Sequence, residues 1–414
     1  MNYFRIKVIL TIFAVLFPLV AHAGGSSYSR FGFGDILRYG DSRIYAMGGT
    51  GIALVDDGSI NLLNPAGMSR INFTRFSAGY EYNRFSSKDS SGSSFNSTGG
   101  FQGLAFAFPI SRENGIVMSI EATPYSKVNY AISSSNFDTL SGSIQHQNQI
   151  SYGSGGLSYL GLGLSGTPLN ALHIGGRLNY MYGRTRQYQT SSFDNSEYTS
   201  TTFDRTIYYS GFTFTLGAIY EGLGQLLGLP SLHNLSLGLT LRTASSLDAN
   251  AERIYSEGDT TNQNGTADIP LSVGFGLSYL HQNRYRFLGD FVFENWGNLK
   301  PFALDPATLR NSYRTSIGFE AIPEKGADTF WKRIFYRAGF AYNSTYYQIN
   351  GTGINEVLMS GGVGLPMGPE SWLNIGLQVG MRGTTDNKLQ KDTIIRLSVA
   401  VSASELWFLK FDEE

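Results

Sequence analysis

The chain has no cysteine among its 414 residues, which excludes a disulfide framework and a thiolate metal centre. It is also short of charge: Asp, Glu, Lys and Arg together make up 15%, and basic and acidic residues nearly cancel at 31 against 32. Such a balance leaves no electrostatic footprint for nucleic acid. Beyond the first two dozen residues, no uncharged apolar run reaches the ~20 residues that a membrane-spanning helix needs. Yet 42% of the residues are hydrophobic, 14% are aromatic, and the mean hydropathy is slightly negative at −0.13.

What is present explains that combination. Leu235, Leu237, Leu239 and Leu241 alternate with Ser236, Gly238, Thr240 and Arg242. The same period sets Leu271, Val273, Phe275 and Leu277 against Ser272, Gly274, Gly276 and Ser278, and Leu373, Ile375, Leu377, Val379 and Met381 against Asn374, Gly376, Gln378, Gly380 and Arg382. A two-residue period is a strand with one apolar and one polar face. In a membrane barrel the apolar face meets hydrocarbon and the polar face lines the lumen, so hydropathy averages cancel.

The N-terminus carries Arg5 and Lys7, an uncharged run from Val8 to Val20, and then Ala21, His22 and Ala23. This reads as a secretory signal peptide over 1–23, with the mature chain starting at Gly24. The run is too short to be a spanning anchor. Without Arg5 and Lys7 the mature chain holds 29 basic and 32 acidic residues, a net charge of −3. An exported chain without disulfides needs another source of stability, and a closed barrel supplies it by pairing every strand.

Strands are expected near 71–85, 99–111, 114–132, 143–166, 170–188, 200–222, 233–246, 268–281, 284–297, 310–322, 331–345, 355–367, 371–384 and 390–402. That makes about fourteen, an even number as single-chain bacterial barrels require. Their connections alternate in length. Short links at Ser111 to Asn114, Gly166 to Asn170, His281 to Arg284 and Met367 to Ser371 contrast with polar loops at Ser86 to Thr98, Ser133 to Gly142, Ser191 to Thr199, Leu247 to Ala267, Asn298 to Leu309 and Tyr346 to Ile354. Short turns belong on the periplasmic rim, where both termini then lie. The expected fold is all-β: a transmembrane antiparallel β-barrel over 71–414, ending in a short C-terminal tail and preceded by a plug segment over 24–70. Localisation in a bacterial outer membrane follows, with outer-membrane lipid around a single chain.

Aromatic residues near strand ends, namely Tyr80, Tyr82, Tyr208, Tyr209, Trp296, Trp331, Tyr346, Tyr347 and Trp372, suggest interfacial girdles. The sequence Glu405-Leu406-Trp407-Phe408 offers a terminal aromatic for barrel assembly machinery, although the acidic tail from Asp412 to Glu414 follows it. Glu121, Arg177, Arg242, Asp290, Glu294, Arg314, Glu320, Arg337, Arg382 and Arg396 fall on the polar faces. A charge facing lipid near the midplane costs roughly 2–4 kcal/mol, so these should point inward and pair across the lumen.

The stretch before the first strand reads Met47-Gly48-Gly49-Thr50-Gly51-Ile52-Ala53-Leu54, then Val55-Asp56-Asp57-Gly58, then Asn61-Leu62-Leu63-Asn64-Pro65-Ala66-Gly67-Met68. Here the chain resembles the FadL/TodX family of outer-membrane transporters for hydrophobic compounds. Its members share a plug with a small-residue run, an Asp-rich step and an Asn-Pro-Ala-Gly element before the first strand. The resemblance implies diffusion-driven uptake of a hydrophobic small molecule, long-chain fatty-acid-like or otherwise apolar, without cofactor. It also implies lateral release through an inward kink in the third strand. Pro124, in Glu121-Ala122-Thr123-Pro124-Tyr125, is the candidate for that kink, because proline removes a ladder hydrogen bond. Asn64, Pro65, Ala66 and Gly67, with Gly48, Gly49 and Gly51, are the candidate plug residues. The external loops are polar rather than apolar, a departure that puts fatty acid itself in doubt.

Other readings stay open. Gly48, Gly49 and Gly51 lack the Lys-Ser/Thr of a phosphate loop. The histidines beyond the signal, His146, His173, His233 and His281, assemble no Ser-His-acid set by spacing, so a barrel enzyme has no residue-level support. A secretion-associated barrel that docks protein partners shares the Asn-Pro element. A lumen filled with ion pairs would favour it, whereas a transporter needs an apolar cavity. A general diffusion porin is weakened by the plug, since a large stable open pore is incompatible with a closed one.

Overall fold

The computed structural model describes residues 24–405 apart from 39–40, 141–142, 195–197, 230–231, 257, 300–301, 303–307, 325 and 369. The signal peptide, Trp407, Phe408 and the acidic tail therefore lie outside the described residues. In chain order the strands are β1 (Asp35–Ile36), β2 (Thr74–Lys88), β3 (Ser93–Ser111), β4 (Ile116–Pro124), β5 (Ser126–Leu140), β6 (Ser143–Leu169) and β7 (Leu172–Phe193). Then follow β8 (Thr201–Tyr220), β9 (Leu235–Arg242), β10 (Ser245–Tyr255), β11 (Thr260–Ile269), β12 (Ser272–His281) and β13 (Tyr285–Glu294). The last are β14 (Thr308–Leu309), β15 (Ser312–Ala321), β16 (Phe335–Ile349), β17 (Thr352–Gly368), β18 (Ser371–Gly383) and β19 (Lys391–Glu405).

Taking β4–β5, β9–β10, β11–β12 and β14–β15 each as one spanning strand, every strand from β2 onward pairs antiparallel with the next, and β19 pairs back along the whole of β2, from Lys391 opposite Lys88 to Glu405 opposite Thr74. The result is a closed barrel of fourteen strands, four of them in two pieces: β4–β5, β9–β10, β11–β12 and β14–β15. Closure gives every spanning strand a neighbour on both sides for at least part of its length, which hydrocarbon demands of a backbone it surrounds. Among the described residues, no helix is long and apolar enough to cross a membrane.

The alternation places side chains as expected. Leu237, Leu239, Phe275, Leu277, Leu377, Val379 and Met381 are exposed on the outer face, while Ser236, Ser278, Asn374 and Gln378 are buried inside. Two expectations fail. The polar stretches assigned to loops at 86–98, 133–142 and 247–267 are mostly strand, because β2–β3, β5–β6 and β10–β11 continue as paired hairpins. Polar residues dominate these stretches, although β10 keeps its alternation, with Leu247, Ala249 and Ala251 buried between exposed Asp248 and Asn250. Trp296, Tyr209, Tyr346 and Tyr347 are no girdle either: at 0–3% exposure they lie in an internal aromatic cluster with Tyr28, Phe33 and Tyr125.

One interruption of the wall matters for everything below. β4 pairs with β3 through Leu104 opposite Ala122 and with β6 through Pro124 opposite Ser158. Beyond Tyr125 the strand resumes as β5, paired with β6 from Val128 opposite Gly155. Among the described residues, no backbone pairing joins β5 to β3, so β3 above Leu104 is paired on the β2 side alone. On β6 the changeover sits at Gly155 and Gly156, with φ of +106° and +141°. A Cβ on Gly156 would stand 2.1 Å from the Ser126 carbonyl oxygen, so only glycine fits.

Candidate functional site

Residues 24–71 run inside the barrel, and only Arg70, Asp57 and Arg30 among the described charged residues there are exposed. The wall makes room with glycine. A Cβ on Gly175 of β7 would lie 2.5 Å from the Pro65 carbonyl carbon, and one on Gly217 of β8 would lie 1.9 Å from Asn64 Oδ1. Gly238 of β9 meets the Ile52 carbonyl in the same way, Gly318 of β15 meets Thr50, and Gly339 of β16 meets Gly48. This seat of inward-facing glycines lets backbone lie on backbone around much of the circumference.

The segment's own geometry is fixed by asparagine. Pro65–Met68 form a 3-10 turn capped by Asn64, whose Oδ1 accepts from the Ala66 N–H at 3.0 Å. Asn64 Nδ2 donates to the Ile52 carbonyl at 2.7 Å and, across to the wall, to those of Ala218 and Leu239 at 3.3 Å. Asn61, which the sequence reading passed over, donates to the Gly51 and Leu54 carbonyls at 2.8 and 2.9 Å. Gly48 donates its N–H to Ser360 Oγ at 2.8 Å and accepts from Arg314, and Gly51 donates to Asp290 Oδ2 at 2.7 Å. Ala66 and Gly67 are buried, and a Cβ on Gly67 would lie 2.4 Å from the Leu54 carbonyl oxygen.

Charge completes the filling. Glu320, fully buried, accepts from Arg43 of the segment at 2.7 Å and from Arg286 and Arg337 of the wall at 2.9 Å. Asp56 bridges Arg43 at 2.7 Å and Arg286 at 3.0 Å. Burial alone would raise the Asp56 pKa, but the two guanidinium groups outweigh it and hold the carboxyl well below the usual range. Higher in the lumen, Glu294 takes Arg38 and Arg242, and Glu356 takes Arg382 and Arg396. Glu121 pairs with Arg177, which also donates to the Leu62 carbonyl. Asp290 departs from the expected pairing: its Oδ2 accepts backbone N–H groups from Gly51 and Ile52, and no cation lies within ion-pair distance among the described residues. Its strand places it opposite the segment rather than opposite an arginine.

The structure does bring a serine, a histidine and an acid together. Ser69 Oγ lies 2.7 Å from His173 Nδ1, and His173 Nε2 lies 2.9 Å from Glu221 Oε2. Thr167 shares the Nδ1 position at 3.1 Å, Arg70 pairs with Glu221 at 2.5 Å, and Ser69 is buried. This set pins the end of the N-terminal segment to β7.

At the interrupted strand the segment takes the place of the missing wall neighbour. β1 pairs with β5, Asp35 opposite Lys127 and Ile36 opposite Ser126. Leu37 donates to the Tyr125 carbonyl at 2.8 Å, and Gly25 to that of Asn129 at 2.9 Å. The far side of the strap is tied to the opposite wall: Asp35 pairs with Arg382 at 2.7 Å and accepts from Tyr347 at 2.9 Å. Across the seam, side chains alone connect β5 and β3, with Asn129 donating to Thr98 at 3.0 Å and Lys127 to the Gly99 carbonyl at 3.3 Å. Pro124 is the last paired residue before the break. A cavity of about 150 Å³ opens beside it, lined by Leu37, Arg38, Tyr125, Tyr159, Arg242 and Asp290 among others.

The family model named BamG matches residues 5–412. The chain belongs to the BamG family. No curated protein matches the chain. Among solved structures, the chain is similar to the CymD monoaromatic hydrocarbon channel, at 14% identity and a TM-score of 0.57 over 91% of this chain and 99% of that one. It is similar to the Ralstonia pickettii toluene transporter TbuX, at 14% identity and a TM-score of 0.58 over 91% and 99%. A Pseudomonas aeruginosa FadL homologue gives 13% identity and a TM-score of 0.57 over 90% and 99%. At such identities the likeness is one of fold. The FadL/TodX resemblance read from the sequence thus returns as a shared barrel, and this BamG barrel is a bacterial outer-membrane protein whose fold neighbours are transport channels.

Proposed function

We propose that this BamG chain is an outer-membrane channel for a hydrophobic small molecule, in which residues 24–70 act as a plug and the seam between β3 and β5 is the lateral way out. The observation that carries this reading is the interrupted third strand: a barrel needed only as a shell has no use for an edge left unpaired above Leu104. The apolar cluster of Leu157, Met181, Ile207 and Tyr209 beside the seam supports it, because an apolar ligand leaving the lumen needs such a lining. Phe33 occupies that cluster, packed edge-on to Tyr209 at 5.6 Å between ring centroids. Passage therefore requires the strap to withdraw. The 150 Å³ cavity would hold a compact ring of roughly benzene size rather than an extended chain.

A staple tests it. Thr98→Cys with Asn129→Cys bridges the seam, and the absence of native cysteine keeps the disulfide unique. Uptake of a monoaromatic hydrocarbon into vesicles should fall at least tenfold when the staple is oxidised and return on reduction. Equal uptake in both states removes the lateral route.

A second reading rests on the ion pairs that fill the lumen, which suit a barrel kept shut to dock protein partners. The BamG name points towards barrel assembly. That reading expects no hydrocarbon uptake in either redox state, together with co-purification of other envelope proteins.

A further inference from the structure

We infer that two turns on the short-turn rim insert into the inner phospholipid leaflet of the outer membrane and hold the barrel there. Four turns on that rim, β3–β4, β6–β7, β12–β13 and β17–β18, are tight. The β8–β9 and β15–β16 turns are longer, and each exposes large apolar side chains. In the first, Leu226 and Leu227 are 72% and 56% exposed; in the second, Phe330 and Trp331 are 52% and 68% exposed. Apolar surface of this kind on a soluble rim would need a cover.

Three observations choose lipid as that cover. The leucine turn carries no charge between Gly222 and Leu229, so nothing opposes burial in an apolar layer. Leu226, Leu227 and Trp331 line neither of the two periplasmic-mouth cavities, of about 880 and 780 Å³, whereas Phe330 lines the second, so in the β15–β16 turn it is Trp331 that faces away from the lumen. Both turns adjoin the lipid-facing belt. The hydroxyl of Tyr336, exposed on the outer face of β16, donates to the Trp331 carbonyl at 3.2 Å, and exposed Leu237 follows the leucine turn on β9. Lys332 comes directly after Trp331 and stays 58% exposed although it pairs with Glu324 at 3.5 Å, so the ring can sit at the headgroup level while this cation reaches phosphate; Arg333 instead donates to the Ala327 carbonyl and lines the mouth.

The arrangement is one-sided. The two turns flank β9 to β15, and the β3–β5 seam lies on the far arc of the wall. Insertion of both turns would fix the rotation of the barrel and leave the seam side without an anchor.

The full barrel is reconstituted in vesicles of phosphatidylethanolamine and phosphatidylglycerol, with an environment-sensitive fluorophore on the unique thiol of Leu226→Cys. The control carries it at Asp57→Cys, a water-facing position of the same mouth. Headgroup-level doxyl lipid should quench the 226 probe at least threefold more than the 57 probe, and aqueous iodide should quench it at least threefold less. Label-free, the emission lost in Trp331→Tyr should be the component that brominated lipid quenches. If iodide quenches positions 226 and 57 alike, and brominated lipid spares the Trp331 component, the turns face water or a protein and the inference is wrong.

Discussion

A single carboxylate, Asp56, decides whether the N-terminal segment is latched at its periplasmic end. It takes Arg43 from the segment and Arg286 from the wall, at 2.7 and 3.0 Å, with its own side chain 16% exposed. Breaking one partner out of a buried charge set costs about 3–5 kcal/mol, and partial exposure puts Asp56→Asn near the lower end. Because the folded-state pKa is depressed, the stabilisation is complete above the unfolded value of about 3.9 and is lost as pH falls through the folded one. Protection of the segment from an acid-tolerant protease should therefore differ between wild type and Asp56→Asn at pH 5, and that difference should begin to shrink only below about 3.9 and go on shrinking as the pH approaches the depressed folded-state value. A difference that stays constant as the pH falls through that window would show that the carboxylate's charge is not what holds the segment. At this scale the sequence was partly legible. The step Val55-Asp56-Asp57 marked itself by charge, but nothing in it told which aspartate would be used. Asn61 does as much as Asn64 and lacks the proline that drew attention to its neighbour. Ser69, His173 and Glu221 are separated by more than a hundred residues in two spans and meet only because β7 and β8 pair.

The strands show why some elements could be read and others could not. Within the membrane each residue faces either hydrocarbon or the lumen, so period two is enforced; in β10–β11 most of the buried positions are the small Ala249, Ala251 and Ala267, and β11 is polar from Thr260 to Thr266, so the hairpin reads as loop. The glycine seat was equally hidden, since glycine on a polar face looks like any other small residue until the segment's backbone is seen lying against it. Gly217→Val separates the seat from the wall. Its backbone pairs with Thr240 of β9 and Gly175 of β7, and valine is well suited to a strand, so the barrel should assemble and keep its heat-modifiable mobility on gels. Its Cβ would stand 1.9 Å from Asn64 Oδ1, so the segment cannot settle. Trypsin should then cleave at Arg43 or Arg70 at least tenfold faster than in wild type, while sites in the wall stay resistant. Unchanged cleavage would mean that the contact with β8 relaxes at little cost.

At the scale of the whole molecule, the proposed plugging of the lumen by residues 24–70 turns on the charges that hold the segment to the wall. Glu320 pairs with Arg43, Arg286 and Arg337, and Asp56 pairs with Arg43 and Arg286, so two carboxylates hold three arginines together. With both acids present the cluster is an adhesive between segment and wall; without them it is three like charges with little water to screen them. The wild-type protein in planar bilayers should thus show no stable open channel, as expected of a lumen whose upper cavities reach only about 90 and 150 Å³. The double substitution Asp56→Ala, Glu320→Ala should drive Arg43 away from Arg286 and Arg337 and release the segment, giving a resolvable conductance. The pore should prefer anions, because the wall arginines Arg286 and Arg337 would line it without their carboxylates, and the preference should weaken as salt rises from 0.1 to 1 M and the screening length contracts from about 10 to 3 Å. A cation-selective pore would place the permeation path away from this cluster. A large stable conductance in the wild type would show that the segment does not close the barrel at all.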